Sequence, residues 1–422
     1  MKMKKLLATM LAVATVAGTF VGCGSSESAS GSDNQAAAPA EGETQDVTLK
    51  IWVPEEEVEI TDAMVKKFDE IHDEFNIEYE IAVVGIDEAP QALDTDADTA
   101  ADIFYTPSGG VADLAAKGLL LPITKDFETV ASDLPESALN AVTVDGITYA
   151  VPFSPNTFFM YYNKDLYTED EVKSLDTMLA KDLGAGKYNF STHLTDSWYA
   201  EMFFLGNGCT LFGADGKDAT DCTFNNEAGL EAGQFMIDLV NSGKYIEDLD
   251  GAGGAEFKAG NVGAITSGAW SAPEFREALG DKLGAVALPT ATIGSKEVQL
   301  SNFVDFKTIT VKSNTAYPLA AQQLAVYMAN QENCLTRYEK QGDIPVLESL
   351  ASSEAIQNDF VAMALNAQAA KATNQPSIPK MGDYWDPMKA FGEGIYYGEI
   401  TSANLQEQLD SLVDSITGTL TE

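Results

Sequence analysis

Carboxylates and histidines are the side chains of this chain that could carry out acid–base chemistry. Three adjacent glutamates, Glu55, Glu56 and Glu57, follow a predicted strand. Paired carboxylates can act as general acid and base when they are held at a defined separation. The chain has only two histidines, His72 and His193, and no Ser-His-Asp or metal-ligand arrangement stands out. The acids alone do not exclude an enzyme, because the sequence cannot supply their separation, and we expect no metal and no cofactor.

Two of the four cysteines are placed for a disulfide. Asp215-Gly216 is a strong signal for a two-residue hairpin turn, and Cys209 and Cys222 are each six residues from it. They would then lie directly opposite each other, within bridging range. The sequence therefore predicts a Cys209–Cys222 disulfide, and the alternative is two free thiols on a hairpin. Cys334 lies in a helical pattern, where we expect it to be a small buried hydrophobe.

Strands and helices alternate along the segment that carries the glutamates. The predicted elements are a strand at 47–52, a helix capped by Thr61 whose apolar face is Met64, Val65, Phe68, Ile71 and Phe75, strands at 77–84 and 101–106, and a helix at 111–117. This alternation predicts a doubly wound α/β fold, in which ligands bind beyond the carboxyl ends of the strands. We therefore expect the loops Pro54–Glu57 and Pro107–Gly110 to border a ligand site.

The first 22 residues have the features of an export signal. Met1–Lys5 carries three lysines, Leu6–Phe20 is almost entirely apolar, and the small Gly22 precedes Cys23. This arrangement resembles the bacterial lipobox, with Phe20 in the place of the usual leucine. The resemblance implies cleavage before Cys23 and attachment of acyl chains to that cysteine. The alternative is an ordinary secretory signal with an incidental cysteine.

Composition limits the nature of the mature protein. A Ser/Ala/Gly/Glu-rich stretch follows Cys23, so we predict a flexible tether over 23–46. The remaining chain is long enough for two domains and has no further apolar run of membrane-spanning length. The formal net charge is −40, and loss of the signal lysines makes the mature chain more acidic. Such a chain repels nucleic acid and anionic lipid.

Several motifs resemble one protein family over nearly the whole chain. Tyr161–Leu166 and Phe257–Trp270 are similar to two hallmark segments of the extracellular solute-binding proteins of carbohydrate ABC importers. The spacing of these segments from Ala101–Thr106, Gly118–Leu120 and Ile378–Met381 is similar to that in the maltose- and maltodextrin-binding proteins. The motifs are specific for the family, and they are not specific for the sugar.

The resemblance implies a two-lobed periplasmic-binding-protein-like fold of type II, in which each lobe is a doubly wound sheet. Three hinge crossings join the lobes, which close on the ligand. The implied boundaries are 1–22 for the signal peptide, 23–46 for the lipidated cysteine and tether, 47–154 plus 306–345 for lobe 1, and 159–300 plus 349–422 for lobe 2. The crossings are expected near Pro155–Phe158, Ser301–Asp305 and Gly342–Val346.

The resemblance also implies which residues hold a sugar, whose C–H faces pack on aromatic rings and whose hydroxyls need polar partners. For stacking, Trp270 and Trp385 match the family's aromatic positions, Trp198 lies within a residue of a third, and Tyr384 adjoins Trp385. Trp52 is expected to pack in the fold. For the hydroxyls, the implied residues include Glu55, Glu56 and Glu57, of which Glu56 is most like the family's acid. Asp196 is a further implied acid. Asn156 stands where the family usually has a glutamate, and Lys389 stands where it has an arginine.

One region departs from the family pattern. Thr106, Gly109 and Gly110 stand where the maltose-binding proteins have a tryptophan and an Asp-Arg pair. Glycine leaves space and backbone N–H groups. We therefore expect Thr106 and Gly109 to border a wider groove on the first-lobe side, which would favour longer or differently shaped oligosaccharides over maltose.

The implied function is binding of an oligosaccharide, most simply a maltodextrin, and its delivery to an ABC permease and its ATPase. The protein would be a monomer, anchored through Cys23 to the outer face of the cytoplasmic membrane. The first alternative is a protein for a polyamine or other cationic solute, since acids and stacked aromatics also suit cations. An exported glycoside-acting enzyme and a polysaccharide adhesin are further alternatives, and the binder-like motifs and the hinge architecture argue against them.

Overall fold

Strands and helices alternate through residues 44–418, which are the residues that the computed structural model describes. The strands are β1 (Gln45–Val53), β2 (Phe75–Val83), β3 (Ile103–Pro107), β4 (Thr143–Val144), β5 (Ile147–Thr148), β6 (Ala150–Asn156), β7 (Phe158–Asn163), β8 (Tyr188–Thr192), β9 (Tyr245–Glu247), β10 (Val262–Gly268), β11 (Leu283–Val286), β12 (Thr290–Ile293), β13 (Lys296–Gln299), β14 (Phe303–Val311) and β15 (Thr373–Asn374).

The helices surround two main sheets. They are α1 (Val58–Ile71), α2 (Ala89–Thr95), α3 (Val111–Ala116), α4 (Glu128–Ala131), α5 (Glu136–Ala141), α6 (Leu175–Ala180), α7 (Ser197–Ala200), α8 (Met202–Gly206), α9 (Glu227–Asn241), α10 (Ala252–Lys258), α11 (Ala272–Leu279), α12 (Pro318–Met328), α13 (Gln331–Gln341), α14 (Glu348–Ala351), α15 (Glu354–Gln357), α16 (Phe360–Ala369), α17 (Gly382–Tyr396) and α18 (Leu405–Thr417). Within residues 44–418, no helix combines the length and apolar character needed to cross a membrane.

The first sheet contains six strands in the order β15-β14-β3-β1-β2, with β6 also paired to β14. β1 is parallel to β2 and β3, whereas β14 is antiparallel to β3 and β6. Val47, Leu49, Ile51 and Val53 alternate along β1 and are buried, because successive side chains point to opposite faces of a strand. Helices α1 and α12 cover this face and complete the core of the first lobe.

The second sheet contains five strands in the order β11-β7-β10-β8-β9. Every residue of β7 and β10 is buried, as is typical of central strands that are covered on both faces. One core contains Phe158, Met160 and residues of α8, α9 and α17, and the other contains Phe159 and Tyr161 with α11 and α16. The chain therefore forms two separate α/β lobes.

The strand ends of the two sheets meet at one junction. Both β6 and β3 are antiparallel to β14, so they run in the same direction. The end of β6 at Asn156 therefore lies at the same edge of the sheet as the ends of β1 and β3. Only Thr157 separates β6 from β7, whose start lies beside the ends of β8 and β10. A second crossing runs from β13 to the start of β14 at Phe303. We call the space at this junction the cleft.

Two details of the first lobe differ from the expectation. β1 begins at Gln45, inside the predicted tether, because Gln45 pairs with Phe75 at the start of β2. α1 begins at Val58, so Thr61 is a buried residue inside the helix, with its Oγ1 3.4 Å from the Tyr105 hydroxyl, rather than its cap. The predicted signal peptide (1–22), Cys23 and the tether as far as residue 43 lie outside the described residues.

The predicted hairpin between the cysteines is wrong in its register. Leu211, not Cys209, lies opposite Cys222, and the Thr223 N–H donates to the Thr210 carbonyl at 3.0 Å. Residues 212–221 form a longer loop than the two-residue turn at Asp215-Gly216. Cys209 and Cys222 are therefore buried free thiols, and not a disulfide, in this structure. Burial raises the pKa of the Cys209 thiol to about 12 and that of Cys222 to about 11.

Candidate functional site

Glu57 forms a buried ion pair instead of facing the cleft. Only 3% of its surface is exposed, and both of its carboxylate oxygens accept from Nε of Arg337 at 3.1 and 3.2 Å. The Tyr105 hydroxyl donates to the same carboxylate at 3.2 Å. Burial raises the pKa of the Glu57 carboxyl, and the Arg337 guanidinium opposes that shift. The predicted role of Glu57 as a sugar ligand is therefore replaced by a structural one.

Glu55 and Glu56 remain exposed in the turn that follows β1. The Gln341 side chain of α13 donates to the Glu56 carbonyl, so the backbone of this turn is fixed while the carboxylates stay free. Trp52, at the end of β1, packs against the small core around Phe104, as expected. The first strand-end loop thus offers two acids rather than three.

Aromatic rings line the second-lobe side of the cleft. Trp198 and Trp385 are partly exposed, and their ring centroids lie 6.3 Å apart with an interplanar angle of 38°. Phe303, at the start of β14, lies 6.5 Å from Trp198. Trp270 follows the end of β10, and a Cβ on the neighbouring Gly268 would lie 1.9 Å from its ring. These three tryptophans have the partial exposure that a stacking surface requires.

Tyr384 is a core residue and not a cleft residue. It is fully buried, and its hydroxyl donates to the Ser197 carbonyl at 2.9 Å. Its ring lies 5.0 Å from that of Trp385, so it supports the indole from behind. The expectation that Tyr384 itself contacts ligand is therefore wrong, because adjacent residues on α17 point to different faces of the helix.

Asp196 and Lys389 occupy different surroundings. Asp196 is the N-cap of α7, since its Oδ1 accepts from the Trp198 N–H at 2.8 Å. The cap fixes the start of the helix that carries Trp198, and 41% of the Asp196 side chain stays open to solvent. Lys389 is exposed on α17.

The space beside Gly109 is filled, contrary to the predicted wider groove. A Cβ on Gly109 would lie only 1.6 Å from Nε2 of Gln375. β15 pairs in parallel with the first two residues of β14, and this pairing brings Gln375 to the first lobe from a distant part of the chain. Thr106 is fully buried within β3, so it lies inside the sheet rather than on the cleft surface.

Asp305 is a cleft residue that the sequence analysis missed. Its Oδ1 accepts from Nδ2 of Asn156 at 2.7 Å, and its carboxyl lies near the backbone N–H of Gly109. Burial raises the pKa of Asp305 to about 8, and the Asp87 carboxylate adds to this shift. An acid within the Val/Ile/Phe-rich pattern of 298–311 is the signal that could have identified it.

Asp87, in the loop after β2, is the second missed acid. Burial raises the pKa of Asp87 to about 6, and the nearby carboxylate of Asp196 in the other lobe adds to this shift. More than a third of Asp87 is nevertheless open to solvent. The cleft therefore brings together acids from both lobes. No group of three or more His, Cys, Asp or Glu residues within 44–418 is arranged to hold a metal ion.

The fold and the cleft define a two-lobed α/β binding protein with an aromatic surface and several polar groups at the lobe junction. The family model of the bacterial extracellular solute-binding proteins matches residues 63–364. The chain belongs to this family, and the resemblance seen in its motifs is confirmed.

Similar proteins support the family and the fold. The galactooligosaccharide-binding protein of Bacillus subtilis (strain 168) is 27% identical over 99% of this chain and 98% of its own. A maltooligosaccharide ABC transporter solute-binding lipoprotein of Streptococcus pneumoniae (strain ATCC BAA-255 / R6) is 26% identical over 73% of this chain and 74% of its own. A structure solved with acarbose has a TM-score of 0.82 and 30% identity, and covers 90% of this chain and 100% of its own. The predicted two-lobed fold is confirmed.

Proposed function

We propose that this protein binds a neutral oligosaccharide in the cleft and delivers it to an ABC permease. The observation that carries the proposal is the partly exposed pair Trp198 and Trp385 in the second lobe, together with the Asn156–Asp305 pair at the crossing between the lobes. Aromatic faces for C–H surfaces beside hydrogen-bonding groups for hydroxyls are the two components of a saccharide site. Asp87 of the first lobe lies near Asp196 of the second, so groups from both lobes border the cleft, and hinge closure of two lobes around a ligand is an established transition.

Two saccharide classes are the main candidates. Maltodextrins are the first, because the sequence motifs resemble the maltodextrin-binding proteins and a relative is named for maltooligosaccharides. Galactooligosaccharides are the second, because the relative that matches almost the full length of the chain is named for them.

Thermal unfolding of a soluble form that begins at Gly24 tests the proposal. The panel contains maltose, maltotriose, longer maltodextrins, β-linked galactooligosaccharides and spermidine. A ligand that binds only the folded state adds about 2.7 kcal/mol of stability at 100 times its Kd. We expect a rise in the melting temperature with one saccharide class, and loss of that rise in Trp270→Ala and Trp385→Ala. Stabilisation by none of the saccharides would refute the proposal.

The same panel separates the polyamine alternative. Binding of a cationic solute weakens at high salt because its charge is screened, whereas binding of a neutral sugar barely responds. Stabilisation by spermidine alone, lost in 0.5 M salt (on the order of a 4 Å screening length), would favour the alternative. The raised pKa of Asp305 makes its carboxyl largely neutral at pH 7, which supports a neutral ligand.

The proposed cellular setting follows from the N-terminal sequence and the relatives. Lipidation at Cys23 would hold the monomeric protein on the outer face of the cytoplasmic membrane, beside the permease and its ATPase. A relative is named as a solute-binding lipoprotein of an ABC transporter. We expect no catalytic turnover of the bound sugar.

A further inference from the structure

Two buried polar atoms in the cleft have no hydrogen-bond partner among residues 44–418. They are Oδ2 of Asp305 and Oε1 of Gln375, and their residues are only 3% and 7% exposed. A buried acceptor or donor without a partner costs about 1–3 kcal/mol. Each such group in a native structure calls for an explanation, and a ligand that supplies the missing partner is one.

Both groups are built around the same residue, Gly109. The Gly109 N–H lies near the Asp305 carboxyl, and the Gln375 carboxamide occupies the position that a Cβ on Gly109 would take. Asn156 adds a third polar group, since its Nδ2 donates to Oδ1 of Asp305 at 2.7 Å and the residue remains partly exposed. We call Asp305, Gln375 and Asn156 the Gly109 cluster.

Backbone hydrogen bonds fix the cluster before any ligand arrives. The Gln375 N–H donates to the Val304 carbonyl at 3.1 Å, and the Thr373 N–H donates to the Asn302 carbonyl at 2.8 Å. Gln375 is therefore held beside Asp305 by the pairing of β15 with β14. Groups that are held in place in advance lose little conformational entropy when a ligand binds.

We propose that Asp305 and Gln375 form a hydroxyl-binding subsite that helps to determine which oligosaccharide the protein accepts. This inference rests on the proposed function. Oε1 of Gln375 accepts from one sugar hydroxyl, and the Asp305 carboxyl bonds a neighbouring one. Because burial raises the pKa of Asp305 to about 8, its carboxyl can keep its proton at neutral pH, and the O–H can donate a hydrogen bond to a sugar oxygen. A donor beside an acceptor discriminates between sugars whose adjacent hydroxyls differ in orientation.

Calorimetric titration of the mature chain with the saccharide that stabilises it tests the subsite. Gln375→Ala and Asp305→Ala should each weaken binding about tenfold, the equivalent of one lost hydrogen bond. Gly109→Ala should have a similar effect, because its methyl group displaces the Gln375 carboxamide. Gly254→Ala in α10 is the matched control, since its Cβ would lie 3.8 Å from the nearest atom and away from the cleft, and it should bind like the wild type.

Monodeoxy analogues of the saccharide distinguish a direct contact from a structural effect. The wild type should bind one analogue, which lacks the hydroxyl that Gln375 contacts, about tenfold more weakly than the parent sugar. Gln375→Ala should bind this analogue and the parent sugar equally well. Two results would overturn the subsite and leave the proposed function intact. The first is wild-type affinity in both Gln375→Ala and Asp305→Ala. The second is that each analogue loses the same affinity, relative to the parent sugar, in the variants as in the wild type. If the wild type binds no saccharide, both proposals are wrong.

Discussion

Three consecutive glutamates have different roles because of partners that are far away in the sequence. Glu55 and Glu56 are exposed, whereas Glu57 is paired with Arg337, 280 residues further along the chain. No local pattern indicates that pairing, so the sequence could predict an acidic loop at the end of β1 but not which acid is buried. The same holds for Tyr384 and Trp385, where the direction of each ring depends on the packing of α17.

Replacement of Glu57 tests its structural role. Glu57→Gln keeps the shape of the side chain but leaves the buried Arg337 charge uncompensated, so we expect a loss of about 3 kcal/mol of stability. Urea unfolding at pH 7 measures this loss. Saccharide affinity of the folded variant should stay within about threefold of wild type, and the exposed Glu55→Gln should leave stability unchanged. Abolished binding with full stability would show that Glu57 contacts the ligand after all.

At the scale of elements, the cleft depends on how closely α17 approaches the loop after β8. A Cβ on Gly392 of α17 would lie 1.9 Å from the Leu194 carbonyl oxygen. Together with the hydrogen bond from the Tyr384 hydroxyl to the Ser197 carbonyl, this contact holds α17, which carries Trp385, against the segment that carries Trp198. The apolar pattern of 387–395 predicts a helix there, but the structure starts the helix at Gly382, so Trp385 lies on it as well as Lys389. The close approach itself could not be predicted, because a glycine within a helix has no local signature of its contact.

Addition of a methyl group to this contact should separate the two elements. We expect Gly392→Ala to destabilise the protein by about 1–3 kcal/mol and to weaken saccharide binding, because the Trp198–Trp385 pair moves apart. Gly382→Ala is the control, since its Cβ would meet open space at the first turn of the same helix. Thermal unfolding and calorimetric titration of both variants provide the comparison. Equal behaviour of the two variants would argue that the close contact is unimportant.

At the scale of the whole molecule, polar contacts hold the crossings between the two sheets. Nδ2 of the buried Asn302 donates to Oγ1 of Thr157 at 2.9 Å and to the Phe158 carbonyl at 2.8 Å. Nε2 of Gln368 donates to Oδ1 of Asn302 at 2.7 Å, and the Phe303 N–H donates to the buried Glu201 carboxyl at 3.2 Å. These bonds fix the crossings, so movement of the lobes is expected to rotate about them.

The sequence predicts the two-lobed fold well because hydrophobic periodicity and family motifs span the chain. It predicts the loops at the ends of β1 and β3, but not that Trp385 lies on a helix, because the predicted helix begins after that residue. It does not predict the Gly109 cluster, because Asp305 and Gln375 meet only through the pairing of β14 with β15. It also places Cys209 opposite Cys222, because the turn signal at Asp215-Gly216 does not reveal the longer loop that forms there.

Small-angle X-ray scattering of the mature protein, with and without the saccharide that stabilises it, tests the central claim most directly. Closure of two lobes on a ligand in the cleft should reduce the radius of gyration at saturating saccharide. Trp385→Ala, which loses part of the stacking surface, should show no reduction at the same concentration. Saturated binding with an unchanged radius of gyration would contradict the claim that the lobes close on an oligosaccharide held between them.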